Sequence, residues 1–175
     1  MSLRAMTVDE EQAVLGFLEG LETGLSARVL GRHALALVER DGIPFACLVT
    51  PEVLALPPAL LADAEAGGLV LGTLADGFHL DLQGAVLVAA QTKAQTVRVT
   101  EHAARLFLYG RNVLGDSVEW ADRSLERGDA CIVCNTRGEA LGLGTVVGNL
   151  KGPREAVRPL HDLGTYLRDQ DDESA

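Results

Sequence analysis

The side chains best able to do chemistry in this chain are its arginines. Of 15 basic residues only Lys93 and Lys151 are lysines, so any cationic site is built mainly from guanidinium groups, which contact phosphate in bidentate fashion and stack on planar rings. Arg111 lies in a loop bounded by Gly110 and Gly115. Lys151, Arg154 and Arg158 follow at intervals of three and four in a run whose only acid is Glu155. On charge alone, a phosphate-contacting strip and an ordinary solvated face account for these residues equally well.

The other reactive side chains offer less. Cys131-Ile132-Val133-Cys134 has the spacing of a redox or zinc pair, but no second ligand pair accompanies it, and residues three apart on a strand point to opposite faces. Buried strand cysteines are the expectation. Gly142-Leu143-Gly144 lacks the third glycine and the following helix of a dinucleotide loop, and reads as a strand with a bulge or a close backbone approach. His33, His79, His102 and His161 have no Ser, Cys or carboxylate at a recognisable catalytic spacing. Asp9-Glu10-Glu11 suits the first turn of a helix. No residue is assigned to catalysis, to a metal or to a cofactor, and the chain is expected not to be an enzyme.

Composition sets the frame. A chain of 175 residues with 47% hydrophobic content can build one large domain or two small ones. Its longest apolar run, Ala85 to Ala90, is far short of the ~20 residues of a membrane-spanning helix, and the acidic N-terminal region does not resemble a signal peptide. An intracellular protein without a membrane partner is the expectation. Three cysteines without framework spacing argue against structural disulfides. The net charge of −10 opposes binding to phosphate backbones, yet it is unevenly spread. Residues 1 to 95 carry 12 acids and 5 bases, residues 96 to 168 carry 9 acids and 10 bases, and the tail carries 4 acids and no base. An acidic, lysine-poor composition also fits a salt-rich cytoplasm.

These residues must be positioned by two kinds of element. Thr7 and Glu10 form a capping box ahead of Val14, Phe17, Leu18 and Leu21, predicting a helix over about Val8 to Leu21. Ala34 to Val38 and Phe45 to Val49 flank an Asp41-Gly42 turn, and Leu69 to Leu74 and Phe78 to Leu82 flank Asp76-Gly77, predicting two hairpins. Thr50-Pro51 opens a helix that Pro57-Pro58 interrupts before Leu60 to Ala66, with Gly67-Gly68 as its stop. Ala85 to Ala90 is expected to be a short helix. Gln91-Thr92-Lys93-Ala94-Gln95 marks the boundary, dividing the chain into 1–93, 94–170 and an acidic tail 171–175. Beyond it come a strand at Val97 to Val99 and a helix from Glu101 to Tyr109, capped by Thr100 and stopped by Gly110. Short strands are predicted around Ser117 to Trp120, Ala130 to Cys134 and Leu141 to Val147, with a last strand and turn within Lys151 to Arg168. The fold class is α+β, an antiparallel sheet unit followed by a compact β-barrel with a helix at its mouth.

Thr100 to Gly115, then Gly128-Asp129, then Asn135 to Gly144 resemble the PUA domain, a small pseudo-barrel. The opening Thr-Val-Asp-Glu-Glu, Leu71-Gly72-Thr73 before Phe78-His79-Leu80, Phe107-Leu108-Tyr109-Gly110 with Asn112-Val113-Leu114, and Asp162-Leu163-Gly164-Thr165-Tyr166-Leu167-Arg168 resemble the Nip-seven family. Its members are large-subunit ribosome biogenesis factors with an α/β pre-PUA domain ahead of a PUA domain. The resemblance implies a non-enzymatic protein that binds pre-ribosomal or uridine-rich RNA through its PUA half, with Lys151, Arg154 and Arg158 on the basic face and Arg111 as a secondary contact. It also implies assembly factors docked on the N-terminal half, no cofactor, and a cytoplasmic location in an archaeon or a nucleolar one in a eukaryote. The overall acidity departs from that pattern and favours a narrow basic strip. A targeting subunit of a pseudouridine synthase-like system, and a protein adaptor without an RNA site, stay open as alternatives.

Overall fold

The computed structural model describes residues 2–57, 60–61 and 68–164. Most of the helix expected over Leu60 to Ala66, its Gly67 stop, the Thr165-Tyr166-Leu167-Arg168 segment and the acidic tail lie outside the described residues. The chain divides into two compact units, Met1–Leu87 and Val88–Ala175.

The first unit is an antiparallel sheet with helices. Its strands, β1 (Ser2–Ala5), β2 (Ala34–Arg40), β3 (Ile43–Val49), β4 (Leu69–Thr73) and β5 (His79–Leu80), are hydrogen-bonded in that order. Asp41 and Gly42 both have positive φ, 52° and 77°, as a two-residue hairpin between β2 and β3 requires. Helix α1 (Val8–Leu21) begins with the predicted capping box: the Thr7 hydroxyl accepts from the Glu10 N–H, and the Glu10 carboxylate accepts from the Thr7 N–H at 2.8 Å. Val14 and Leu18 are buried, and Phe17 packs edge-on against Phe78 with ring centroids 5.1 Å apart. Helices α2 (Leu25–Leu30) and α3 (Pro51–Leu54) are short. Neither α2 nor β1 has a sequence signal of its own. β1 is four residues long and is held by pairing with β2, from Ser2 opposite Glu39 to Ala5 opposite Ala36. Its Arg4 binds both carboxylate oxygens of Glu10, at 2.7 and 2.8 Å, tying the strand to the start of α1.

Helix α4 (Leu82–Ala89) runs through the division between the units. In the second unit β6 (Thr96–Val99), β7 (Val113–Leu114), β8 (Val118–Ala121), β9 (Ala130–Cys134), β10 (Ala140–Val146) and β11 (Glu155–Asp162) form one sheet in the order β7-β11-β10-β9-β6-β8. The two edge strands, β7 and β8, are joined by only a 3-10 turn, Gly115–Ser117. Strands that close in sequence can occupy opposite edges only if the sheet curls until its edges meet, and the result is a nearly closed pseudo-barrel. Helix α5 (Glu101–Leu108) inserts the fully buried Phe107 among Val97, Val99, Val113, Val133 and Val157. Gly142 makes this possible, because a Cβ there would lie 2.3 Å from the His161 carbonyl oxygen and 2.9 Å from the Phe107 ring. β10 carries the expected irregularity, with register shifts between Ala140 and Gly142 and between Leu143 and Gly144.

Candidate functional site

The candidate strip forms where α5, β7 and β11 meet. The Thr100 hydroxyl caps α5 by accepting from the Ala103 N–H at 3.3 Å. At the other end Gly110, at φ 73°, donates to the Phe107 carbonyl at 2.8 Å, and the Arg111 N–H reaches back to the Leu106 carbonyl at 3.0 Å. This is a Schellman stop, and it fixes the backbone of Arg111 while leaving its side chain exposed. β7 then pairs with β11, Val113 opposite Val157 and Leu114 opposite Glu155. Arg111 therefore approaches the barrel edge two residues before the partner of Val157, which is Arg158's neighbour.

The turn between β10 and β11 carries Lys151 and Arg154, both exposed. It is clamped to the start of the 3-10 turn by two backbone hydrogen bonds, Gly115 N–H to the Arg154 carbonyl at 3.0 Å and Asp116 N–H to the Gly152 carbonyl at 2.7 Å. The Asn149 side chain also accepts from the Lys151 N–H at 2.9 Å. Glycine at position 115 lets the turn come this close, since a Cβ would sit 2.5 Å from the Asn149 carbonyl oxygen. Arg158 projects from β11 with Glu155 3.9 Å away, both more than half exposed. Arg111, Lys151, Arg154 and Arg158 thus share one edge of the barrel. Tyr109, which closes α5 two residues before Arg111, is 67% exposed. Sequence reasoning did not single it out, because an aromatic ring at a helix end reads first as a core anchor.

Cys131 and Cys134 fall on opposite faces of β9. Cys131 packs in the barrel core, and Cys134 lines a cleft on the outside. Burial pushes both thiols up, to about 12 and about 11. They are therefore poor nucleophiles at neutral pH. Among the described residues no group of His, Cys, Asp or Glu is arranged to hold a metal ion, and no helix is long and apolar enough to cross a membrane.

A second cationic cluster surrounds that cleft, and sequence reasoning missed it because its members are scattered over the chain. Lys93, Thr96, Arg98, Trp120 and Arg137 line a volume of about 320 Å³ within the second unit. They converge because β6 lies between β8 and β9, with Arg98 directly opposite both Trp120 and Cys134.

A curled six-stranded sheet plugged by a glycine-stopped helix, preceded by an antiparallel α+β unit, defines a PUA-domain protein with an N-terminal companion unit. The UPF0113 PUA domain family model matches residues 95–171. A UPF0113 protein of Aeropyrum pernix is 32% identical over 177 residues, covering 95% of this chain and 91% of its relative. The chain belongs to the UPF0113 family. A conserved PUA domain protein from Thermoplasma acidophilum has the same fold, with a TM-score of 0.66 at 15% identity over 97% of this chain and 99% of its own. A Pyrococcus horikoshii protein superposes with a TM-score of 0.65 at 14% identity, over 91% and 93% of the two chains.

Proposed function

We propose that the protein is a non-enzymatic RNA-binding factor of the Nip-seven type. In this reading it acts in maturation of the large ribosomal subunit, holding pre-ribosomal or uridine-rich RNA through its second unit and assembly factors through its first. The observation that carries the reading is the clamping of the Lys151–Arg154 turn against Gly115. That contact holds Lys151 and Arg154 at the edge where the β7–β11 pairing brings Arg111 towards Arg158, in a chain whose net charge is −10. Exposed, backbone-anchored arginines and an exposed tyrosine supply phosphate contacts and a stacking surface together. The strip has to be local, because the chain as a whole is acidic.

The test is the salt dependence of binding to a single-stranded uridine-rich RNA. Four phosphate contacts give a slope of about −2.8 in log affinity against log salt, at about −0.7 per contact. Replacing Lys151, Arg154 and Arg158 with alanine leaves one contact and a slope of about −0.7. An unchanged slope refutes the assignment of these residues. Absence of binding at low salt refutes the RNA reading itself.

A further inference from the structure

The outer cleft of the second unit is not part of the strip just described. The Arg137 turn precedes β10 and the Lys151 turn follows it, so the two cationic sites lie at opposite ends of a seven-residue strand, about 20 Å apart at the usual rise. The cleft is also of a different kind. Arg98 lies on the outer face of β6, with its guanidinium carbon 6.0 Å from the centre of the Trp120 ring. Its Nε is buried and has no hydrogen-bond partner among the described residues. A guanidinium N–H removed from water without an acceptor is costly, and an anion placed against that group offsets the cost.

The cleft walls are held in place by their own backbone contacts. The Asp122 carboxylate accepts from the Gln95 N–H at 2.8 Å, and the Thr96 hydroxyl donates to the Lys93 carbonyl at 2.8 Å. On the other side the buried Asn135 accepts from the Arg137 N–H at 2.9 Å. Arg137 is paired with Glu139 at 3.2 Å, but both are largely exposed, so this pair exchanges readily for a stronger one. Three cations, one indole and room for one planar ring are what a phosphorylated nucleoside requires.

We propose that this cleft binds a nucleoside monophosphate unit, its base against Trp120 and its phosphate between Lys93, Arg98 and Arg137. The unit comes either from a free nucleotide or from one nucleotide of an RNA strand. Trp120 is the only tryptophan in the chain, so its fluorescence reports on this cleft alone. The intact protein is titrated separately with UMP, with a 5′-phosphorylated uridine trinucleotide, with uridine and with inorganic phosphate. Saturable quenching by UMP identifies a free-nucleotide site, and quenching by the trinucleotide alone identifies a site for a nucleotide within a strand. The exposed pair Lys93→Ala/Arg137→Ala is expected to weaken the effect about tenfold or more. The Lys151→Ala/Arg154→Ala/Arg158→Ala variant is expected to leave it unchanged, which separates failure here from failure of the barrel-edge reading. The proposal is overturned if neither UMP nor the trinucleotide quenches at millimolar concentration. It is also overturned if inorganic phosphate acts as well as UMP, or if the Lys93/Arg137 variant binds like the wild type.

Discussion

Gly115→Ala isolates the contact on which the barrel-edge strip depends. The position does not have positive φ, so alanine costs nothing in backbone conformation and the effect is one of space. The new Cβ would lie 2.5 Å from the Asn149 oxygen, 2.9 Å from the Gly152 oxygen and 3.0 Å from the Lys151 nitrogen. All three are backbone atoms, so no side chain can rotate away and the turn must withdraw by about an ångström to reach ordinary contact distance. Withdrawal weakens the Gly115–Arg154 and Asp116–Gly152 hydrogen bonds, each worth about 1 kcal/mol. Residual crowding adds a further 1–3 kcal/mol, giving a loss of about 2–4 kcal/mol. With a urea m-value of about 2 kcal/mol/M, the unfolding midpoint of the second unit falls by about 1–2 M. The same displacement moves Lys151 and Arg154 without altering either. The salt slope of RNA binding should therefore shrink by about 1.4, as if two phosphate contacts had been removed. A variant within about 0.5 kcal/mol of wild type in urea, with an unchanged salt slope, would show that the turn is not held as described.

Three further outcomes are expected. Glu155→Gln removes the carboxylate beside Arg158 and should tighten RNA binding about two- to fivefold in a filter or anisotropy assay, because the exposed pair is worth less than about 1 kcal/mol. Tyr109→Ala should cost about 1–3 kcal/mol of RNA affinity while Tyr109→Phe retains it, and equal losses in both would exclude stacking. The Arg4 guanidinium and the Thr7 N–H hold Glu10 down to about 2 from 4.5. A depressed carboxylate stabilises the fold above its unfolded pKa and loses that contribution as pH falls through its folded one. The first unit should therefore lose up to about 1 kcal/mol between pH 5 and pH 2. In Glu10→Gln acid denaturation curves, the absence of any change in that window would contradict the pairing.

Much of this architecture was legible because it is written in local signals. Thr7 with Glu10, Thr100, Gly110 and the Asp41-Gly42 turn each dictate backbone geometry within a few residues, and α1, α5 and the β2–β3 hairpin sit where those signals place them. The regions that escaped lack such signals. β1 and β7 are strands of four and two residues that exist through pairing with distant partners. β6 runs parallel to β9 with Thr96 opposite Ile132, a pairing that no local pattern announces. The candidate strip was half visible. Lys151, Arg154 and Arg158 are close in sequence, but only the β7–β11 pairing brings Arg111 towards them. The Lys93, Arg98, Trp120 and Arg137 cluster, spread over 45 positions, was invisible until the strands were aligned.

The parallel β6–β9 pairing also dictates the order in which the second unit can assemble. Its first strand, β6, pairs with β8 and is flanked on both sides only once β9 (Ala130–Cys134) has also been made. Nor can the sheet gain its far half before β11 is complete, because β7 pairs only with β11. A nascent chain can therefore form the β9–β10 and β10–β11 hairpins from neighbouring strands, whereas the β6–β9 and β7–β11 pairings join segments far apart in sequence. The barrel cannot close before β11 has emerged, so removing β11 would leave β7 without its pairing partner and one side of β10 open, and these non-local pairings slow folding relative to a sheet built of hairpins alone.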